Sequence, residues 1–264
     1  MKVFSFVMIL LLSVSFYSPY SAFAETWDNK EYQWSFKPAK NGQPATTEPY
    51  YEELIEKFGG LYIGDTSEKE LYLTFDNGYE NGYTEIILDL LKEKEVPATF
   101  FVTGHFITQE KELIQRMVDE GHIIGNHSYH HPSLPKVSDD RLERELRSLE
   151  QAYEEVTGLT DMRYLRPPQG TFSERSLGKT AEMGYTNVFW SLAYKDWEID
   201  HQKGKDYAYE KIMERIHPGA VLLLHAVSSD NAEALPKVID DLKQEGYTFK
   251  SLDEWRIKQE ILLP

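Results

Sequence analysis

From residue 70 onward, short apolar runs alternate with amphipathic segments about seven times, and this rhythm limits the fold more than any other feature of the chain. The runs are 70–76 (ELYLTFD), 98–104 (ATFFVTG), 122–127 (HIIGNH), 163–168 (RYLRPP), 186–192 (TNVFWSL), 220–225 (AVLLLH) and 247–252 (YTFKSL). Near-continuous apolar strands separated by amphipathic helices imply a parallel sheet covered by helices. The helical stretches are 84–95, 108–121, 138–158, 173–183, 205–216 and 230–245. In 84–95, Ile86, Ile87, Leu90 and Leu91 are expected on one face. Segment 108–121 has Gly121 as its stop. Segment 138–158 opens on Ser138, Asp139 and Asp140, where a helix welcomes negative charge. It carries the stripe Leu142, Leu146, Leu149, Tyr153 and Val156 and stops at Gly158. With so many repeats, a closed or nearly closed α/β fold is expected, a distorted (β/α)7–8 barrel of parallel strands.

Three regions are expected. Residues 1–24 have one Lys near the start, an apolar stretch and small residues at Ala22 and Ala24, the layout of a secretory signal. The segment is either cleaved after Ala24 or retained as an anchor, and the remainder is expected outside the cytoplasm. Residues 25–67 read as an N-terminal extension wrapped on the domain, with a short helix at 50–58 (YYEELIEKF), and 68–264 as the domain itself. With no Cys there are no disulfides, and packing must stabilise an exported chain of 264 residues. Lys and Arg number 28 against 44 Asp and Glu, a net charge of -16. That balance repels phosphate backbones and excludes nucleic acid as a partner, while leaving neutral sugars open.

The strand ends carry the chemistry. They deliver Asp76, His127, Arg166, Asp196 with Trp197, and His225. In a β/α barrel the C-terminal strand ends share one face, where active sites sit. His127 and His131 in NHSYHHP are four residues apart, so a helical turn would place both imidazoles on one side as a divalent-metal pair, with His130 pointing elsewhere. In RPPQG, Pro167 and Pro168 stiffen a turn, Gly170 allows positive φ, and Arg166 can anchor a carboxylate by paired hydrogen bonds. LGKT at 177–180 lacks the glycine a phosphate-binding loop needs, no G-x-S-x-G elbow occurs, and thiol catalysis is excluded.

TFDNG, HSYHH, RPPQG, KDW and LLLH, in that order, resemble the five motifs of the polysaccharide deacetylases, carbohydrate esterase family 4, the NodB-homology domain. TFDNGYENGY after a long N-terminal extension looks most like the peptidoglycan N-acetylmuramic acid deacetylases of delta-lactam biosynthesis in spore-forming bacteria. The resemblance implies Asp76 as general base, Arg166 orienting it, His225 as general acid and Asp196 tuning His225. It implies His127, His131 and Asn77 as ligands of a divalent metal, zinc by analogy, and Trp197, Tyr129, Pro168 and Gly170 as substrate-binding residues. It implies peptidoglycan glycan strands as the partner, an exported monomer and no protein partner. Glucosamine polymers or acetylated xylan are alternative substrates, and a glycan-binding pseudoenzyme is an alternative of another class. Two positions depart from the family pattern. Asn77 stands where an Asp metal ligand is usual, so charge is lost there. Ala193 stands where the fourth motif usually opens with Asp.

Overall fold

The computed structural model describes residues 26–40 and 43–262; the leader expected in 1–24 lies outside the described residues. In chain order the elements are β1 (Tyr32–Gln33), β2 (Phe36–Lys37), β3 (Thr46–Thr47), α1 (Pro49–Lys57), β4 (Glu70–Asn77), α2 (Thr84–Glu93), β5 (Ala98–Val102), α3 (Gly104–Gln109), α4 (Lys111–Asp119) and β6 (Ile123–Asn126). They continue with α5 (Asp139–Thr157), β7 (Tyr164–Leu165), β8 (Thr171–Phe172), α6 (Glu174–Glu182), β9 (Thr186–Asn187), α7 (Lys205–Arg215), β10 (Ala220–His225), α8 (Ser229–Gln244), β11 (Thr248–Phe249) and α9 (Leu252–Leu262).

Strand β4 is buried in all but its first residue, and its alternation divides the core. Leu71, Leu73 and Phe75 face the large apolar layer under the helices. Tyr72 faces the barrel interior with Phe101, Tyr164 and Val221. Because side chains alternate along a strand, Thr74 and Asp76 continue the interior face toward its C-terminal end.

The main sheet runs β10-β4-β5-β6-β7-β9, with β11 added to β4, and every pairing is parallel. It forms a half-barrel with helices around it. The gap between β9 and β10 is spanned by isolated bridges, Leu192 with Leu222 directly, and Leu61 with Val188 and Ile63 with Ala220 through the N-terminal segment. Strands β7 and β9 are only two residues each, shorter than the runs at 163–168 and 186–192 suggest. Pro167 and Pro168 lack the N–H groups a ladder needs. Beyond Asn187 the chain pairs with the extension, Phe189 N donating to the Leu61 carbonyl at 2.7 Å.

The helices follow their sequence signals closely. Ser138 caps α5 by accepting from Arg141 N, and Gly158 ends it at φ 73°, a left-handed value that favours glycine. In α2 the buried residues are Thr84, Ile87, Leu88, Leu90 and Leu91, so Ile87, Leu90 and Leu91 face inward as expected, while Ile86, expected with them, is 51% exposed. The stretch 108–121 does not form one helix. Thr103 caps α3, and Glu110 at φ -113°, ψ 47° separates α3 from α4. Helix α9 has no counterpart in the alternating pattern; its first residue, Leu252, is buried with Tyr72 and Tyr164, and Trp255 packs there too.

The N-terminal segment grips the domain at several points. Strand β1 pairs antiparallel with β8. Trp34 is buried, its backbone N–H donates to the Gly170 carbonyl at 2.8 Å, and its indole donates to the Trp190 carbonyl at 3.1 Å. Among the described residues no helix is long and apolar enough to cross a membrane.

Candidate active site

Asp76 and His225 are register partners at the ends of neighbouring strands β4 and β10. Both line one cavity of about 980 Å³ at the C-terminal end of the sheet, with His127 and His131. Four of the expected site residues are therefore neighbours in space.

Arg166 is fully buried and holds Asp76. Its Nη1 donates to Asp76 Oδ1 at 2.8 Å, its Nη2 to Thr74 Oγ1 at 2.8 Å, and its Nε to the Val188 carbonyl at 3.2 Å. The guanidinium lies over the Phe101 ring at 4.2 Å. A guanidinium this fully bonded keeps its charge and its direction. Burial pushes the Asp76 carboxyl upward, but Arg166, aided by His127 and His225, holds it below the ordinary carboxylate value.

His225 has the opposite balance. Its Nδ1 donates to Asp196 Oδ1 at 2.7 Å and its backbone N–H to Asp196 Oδ2 at 2.8 Å. Asp196 is buried and also accepts from Asn231 Nδ2 at 2.6 Å. Burial lowers the affinity of the imidazole for a proton, yet Asp196 outweighs it and raises the His225 pKa. With Nδ1 committed to Asp196, Nε2 is the nitrogen left to carry a proton for a substrate.

His127 and His131 converge without a helix. Ser128 and His131 both have left-handed φ, 61° and 59°, so the loop doubles back on itself. The fold secures it at several points: Asn126 Oδ1 accepts from Ser128 N at 2.8 Å, and Ser128 Oγ from His131 N at 2.9 Å. The buried Glu145 carboxylate accepts from His130 N at 2.7 Å and pairs with His130 Nδ1 at 3.0 Å, so that ring is tied to Glu145 and not to the His127–His131 pair, although His130 also lines the cavity. The two Nε2 atoms come within 3.1 Å of each other, and His127 Nε2 lies 3.4 Å from Asp76 Oδ2. His127 Nδ1 donates to the Arg166 carbonyl at 2.8 Å, which leaves its Nε2 with the lone pair. Burial lowers the His127 pKa, and burial together with His127 brings His131 down to about 4.

A family model described as polysaccharide deacetylase matches residues 63–188. The chain is 52% identical to the peptidoglycan-N-acetylmuramic acid deacetylase PdaA of Bacillus subtilis (strain 168), over 92% of this chain and 93% of that one. The solved structure of Bacillus subtilis PdaA, a family 4 carbohydrate esterase, superposes with a TM-score of 0.86, covering 88% of this chain and 99% of that chain. The chain belongs to the polysaccharide deacetylases. It is also 32% identical to a peptidoglycan-N-acetylglucosamine deacetylase of Bacillus cereus, over 75% of this chain and 72% of that one.

As a polysaccharide deacetylase this chain is a hydrolase, and not every residue expected at its site reaches the cavity. Trp197 and Tyr129 line it, Trp197 with its ring 5.5 Å from that of His225. Pro168 and Gly170 are buried and stand apart from it. Gly170 has φ 66°, and an added Cβ would meet the Trp190 ring at 2.9 Å, so this glycine serves a turn clamped beneath Trp34. Asn77 is fully buried, and neither polar atom of its carboxamide finds a hydrogen-bond partner among the described residues.

The donor set fits a metal at two positions. Two uncharged imidazoles converging through Nε2 suit zinc or a similar divalent ion. The orphaned Asn77 oxygen would be a neutral third donor, although Asn77 is not among the residues that line the cavity, and among the described residues no group of three or more His, Cys, Asp or Glu forms a metal-holding set.

Sequence reading missed Thr74, Glu145, Asn231 and Tyr79. Glu145 left a trace, since it sits three residues after Leu142 on the apolar stripe of α5, where a solvated acid has no reason to be. Thr74 and Asn231 leave none, because their roles exist only across strand and helix contacts.

Proposed function

We propose that this chain removes the N-acetyl group from N-acetylmuramic acid residues of peptidoglycan glycan strands, releasing acetate and leaving a free amine. The observation that carries the reading is the pair of strand-end neighbours, Asp76 with its pKa lowered by Arg166 and His225 with its pKa raised by Asp196, on a chain 52% identical to PdaA. Amide hydrolysis needs a base for the attacking water and an acid for the leaving nitrogen, with opposite preferred protonation states.

In the proposed reaction Asp76 takes a proton from water as its oxygen bonds to the acetyl carbon. Arg166 keeps Asp76 ionised and aimed. The carbon–nitrogen bond then breaks as His225 Nε2 gives its proton to the departing nitrogen, and Asp196 stabilises the imidazolium beforehand. His127 and His131, with Asn77 as a weak neutral third ligand, would hold a divalent metal, zinc by its liking for imidazole, which supplies positive charge for the developing oxyanion. Trp197 and Tyr129 wall the sugar.

Deacetylation exposes an amine beside the lactyl carboxyl of the same muramic acid, the pair a lactam ring requires. We assign this chain that preparatory step in spore cortex. The leader in 1–24 supports an exported site of action, and the acidic surface gives no reason to invoke nucleic acid. The chain is proposed to act as a monomer.

The test is acetate release from defined muramic-acid-containing glycan fragments, chitin oligomers and acetylated xylan, each with and without a chelator. Release from the muramic fragments, lost on chelation, is expected. Preference for chitin oligomers or acetylated xylan would reassign the substrate, and no release from any would make the chain a glycan-binding protein.

A further inference from the structure

The loop between β4 and α2, residues 78–83 (GYENGY), is held on every side yet presents one aromatic ring to solvent. Glu80 folds its carboxylate back on the loop, Oε1 accepting from Gly82 N at 2.5 Å and from Thr84 N at 3.3 Å, while Oε2 accepts from the Thr84 hydroxyl. Asn81 Nδ2 crosses to the Val227 carbonyl at 3.0 Å, and Thr103 Oγ1 donates to the Gly78 carbonyl at 3.1 Å. The loop's only acid is thereby spent within it.

Tyr79 is the exception. It lines the same cavity as Asp76 and His225, is 42% exposed, and makes no hydrogen bond or ring contact with any described residue. Trp197, 49% exposed, lines that cavity too, but its ring lies against His225. An exposed aromatic ring on an immobilised loop loses little further freedom on binding. Its face suits the C–H face of a pyranose, and its hydroxyl can bond a sugar hydroxyl.

We infer that Tyr79 is the platform for the sugar next to the one being deacetylated, so that the site binds a stretch of glycan strand and not a lone sugar. Trp197 touches the target sugar beside the acid, while Tyr79, in contact with no reacting group, takes the neighbouring ring. This rests on the glycan-deacetylase reading above and adds where the strand lies and why its length matters.

The experiment compares kcat/KM for acetate release from a disaccharide and an octasaccharide of muramic-acid-containing glycan, in wild type, Tyr79→Ala and Tyr79→Trp. In Tyr79→Ala the ratio of long to short fragment is expected to fall about tenfold, through KM on the long fragment, the size of one aromatic contact. Tyr79→Trp should restore the ratio. An unchanged ratio in Tyr79→Ala, or an equal loss of kcat on both fragments, would overturn the inference while leaving the deacetylase reading intact. If wild type releases no acetate from either fragment, that reading fails first, and calorimetry decides this one. Weaker octasaccharide binding by Tyr79→Ala than by wild type then supports the platform, and equal binding removes it.

Discussion

The two halves of the site use one device with opposite polarity. On one side a buried guanidinium, Arg166, grips a strand-end carboxylate, Asp76, at 2.8 Å. On the other a buried carboxylate, Asp196, grips a strand-end imidazole, His225, at 2.7 Å. Burial opposes the charged form in both, and in both the partner wins. One pair therefore stores a base and the other an acid, although Asp76 and His225 stand side by side in register. A strand end supplies only position; the protonation state comes from what the next strands bring up behind it. Leaving either partner alone in the interior would strand a charge, at a cost of about 3–5 kcal/mol.

The hardest test of that comparison is to remove the base. Asp76→Asn keeps the shape and the Arg166 contact but cannot take a proton, and acetate release should fall at least about 1,000-fold. Because the buried Arg166 charge loses its counter-ion, the melting temperature should fall as well while the protein stays folded. Activity near wild type would place the base elsewhere.

Next is the acid half. In wild type the working state needs ionised Asp76 and protonated His225, so activity is expected between the lowered Asp76 pKa and the raised His225 pKa, declining on the alkaline side as His225 loses its proton. The ion pairs follow the same signs. The Asp196–His225 contribution to stability is full below the ordinary imidazole value and is lost as pH rises through the raised one. The Arg166–Asp76 contribution is present above the ordinary carboxylate value and is lost as pH falls through the lowered one. Asp196→Asn removes the main group that opposes burial at His225 and leaves only Asp76 to do so, so the alkaline limb of the kcat/KM profile should move to lower pH and activity at neutral pH should drop about 100-fold. An alkaline limb that stays in place would mean Asp196 does not set the His225 proton.

The smallest effect concerns the residue beside the base. Asn77 is buried like its neighbours, but neither polar atom of its side chain has a partner among the described residues. In chelated protein Asn77→Leu should be neutral or stabilising by about 1 kcal/mol, read as a small rise in melting temperature. If Asn77 also contributes a metal ligand, zinc will stabilise wild type more than the variant. Equal stabilisation of both by zinc would remove Asn77 from the ligand set.

Much of this was legible in the sequence because it is local. Apolar runs alternating with amphipathic helices specify buried parallel strands. Ser138 and Gly158 mark where α5 starts and stops through their own capping and left-handed conformation. The residues closing each strand, Asp76, His127, Arg166 and His225, reach one rim because parallel strands share a direction. Local patterns misplaced Ile86 by one helical position and overlooked α9, whose apolar face is weak.

Tertiary structure decided the rest, because it depends on contacts between residues distant in the chain. The sheet stops at a half-barrel bridged through the N-terminal segment, since prolines end β7 and residues 61–63 occupy the gap. His127 and His131 meet by a left-handed loop held from α5 by Glu145, where the four-residue spacing alone suggested a helical turn. Gly170 is used under Trp34 and away from the cavity. The sequence by itself determined which groups arrive at the rim; folding determined which carry charge there, because a proton's affinity for Asp76 or His225 is set by Arg166, ninety residues away from Asp76, and Asp196, twenty-nine away from His225.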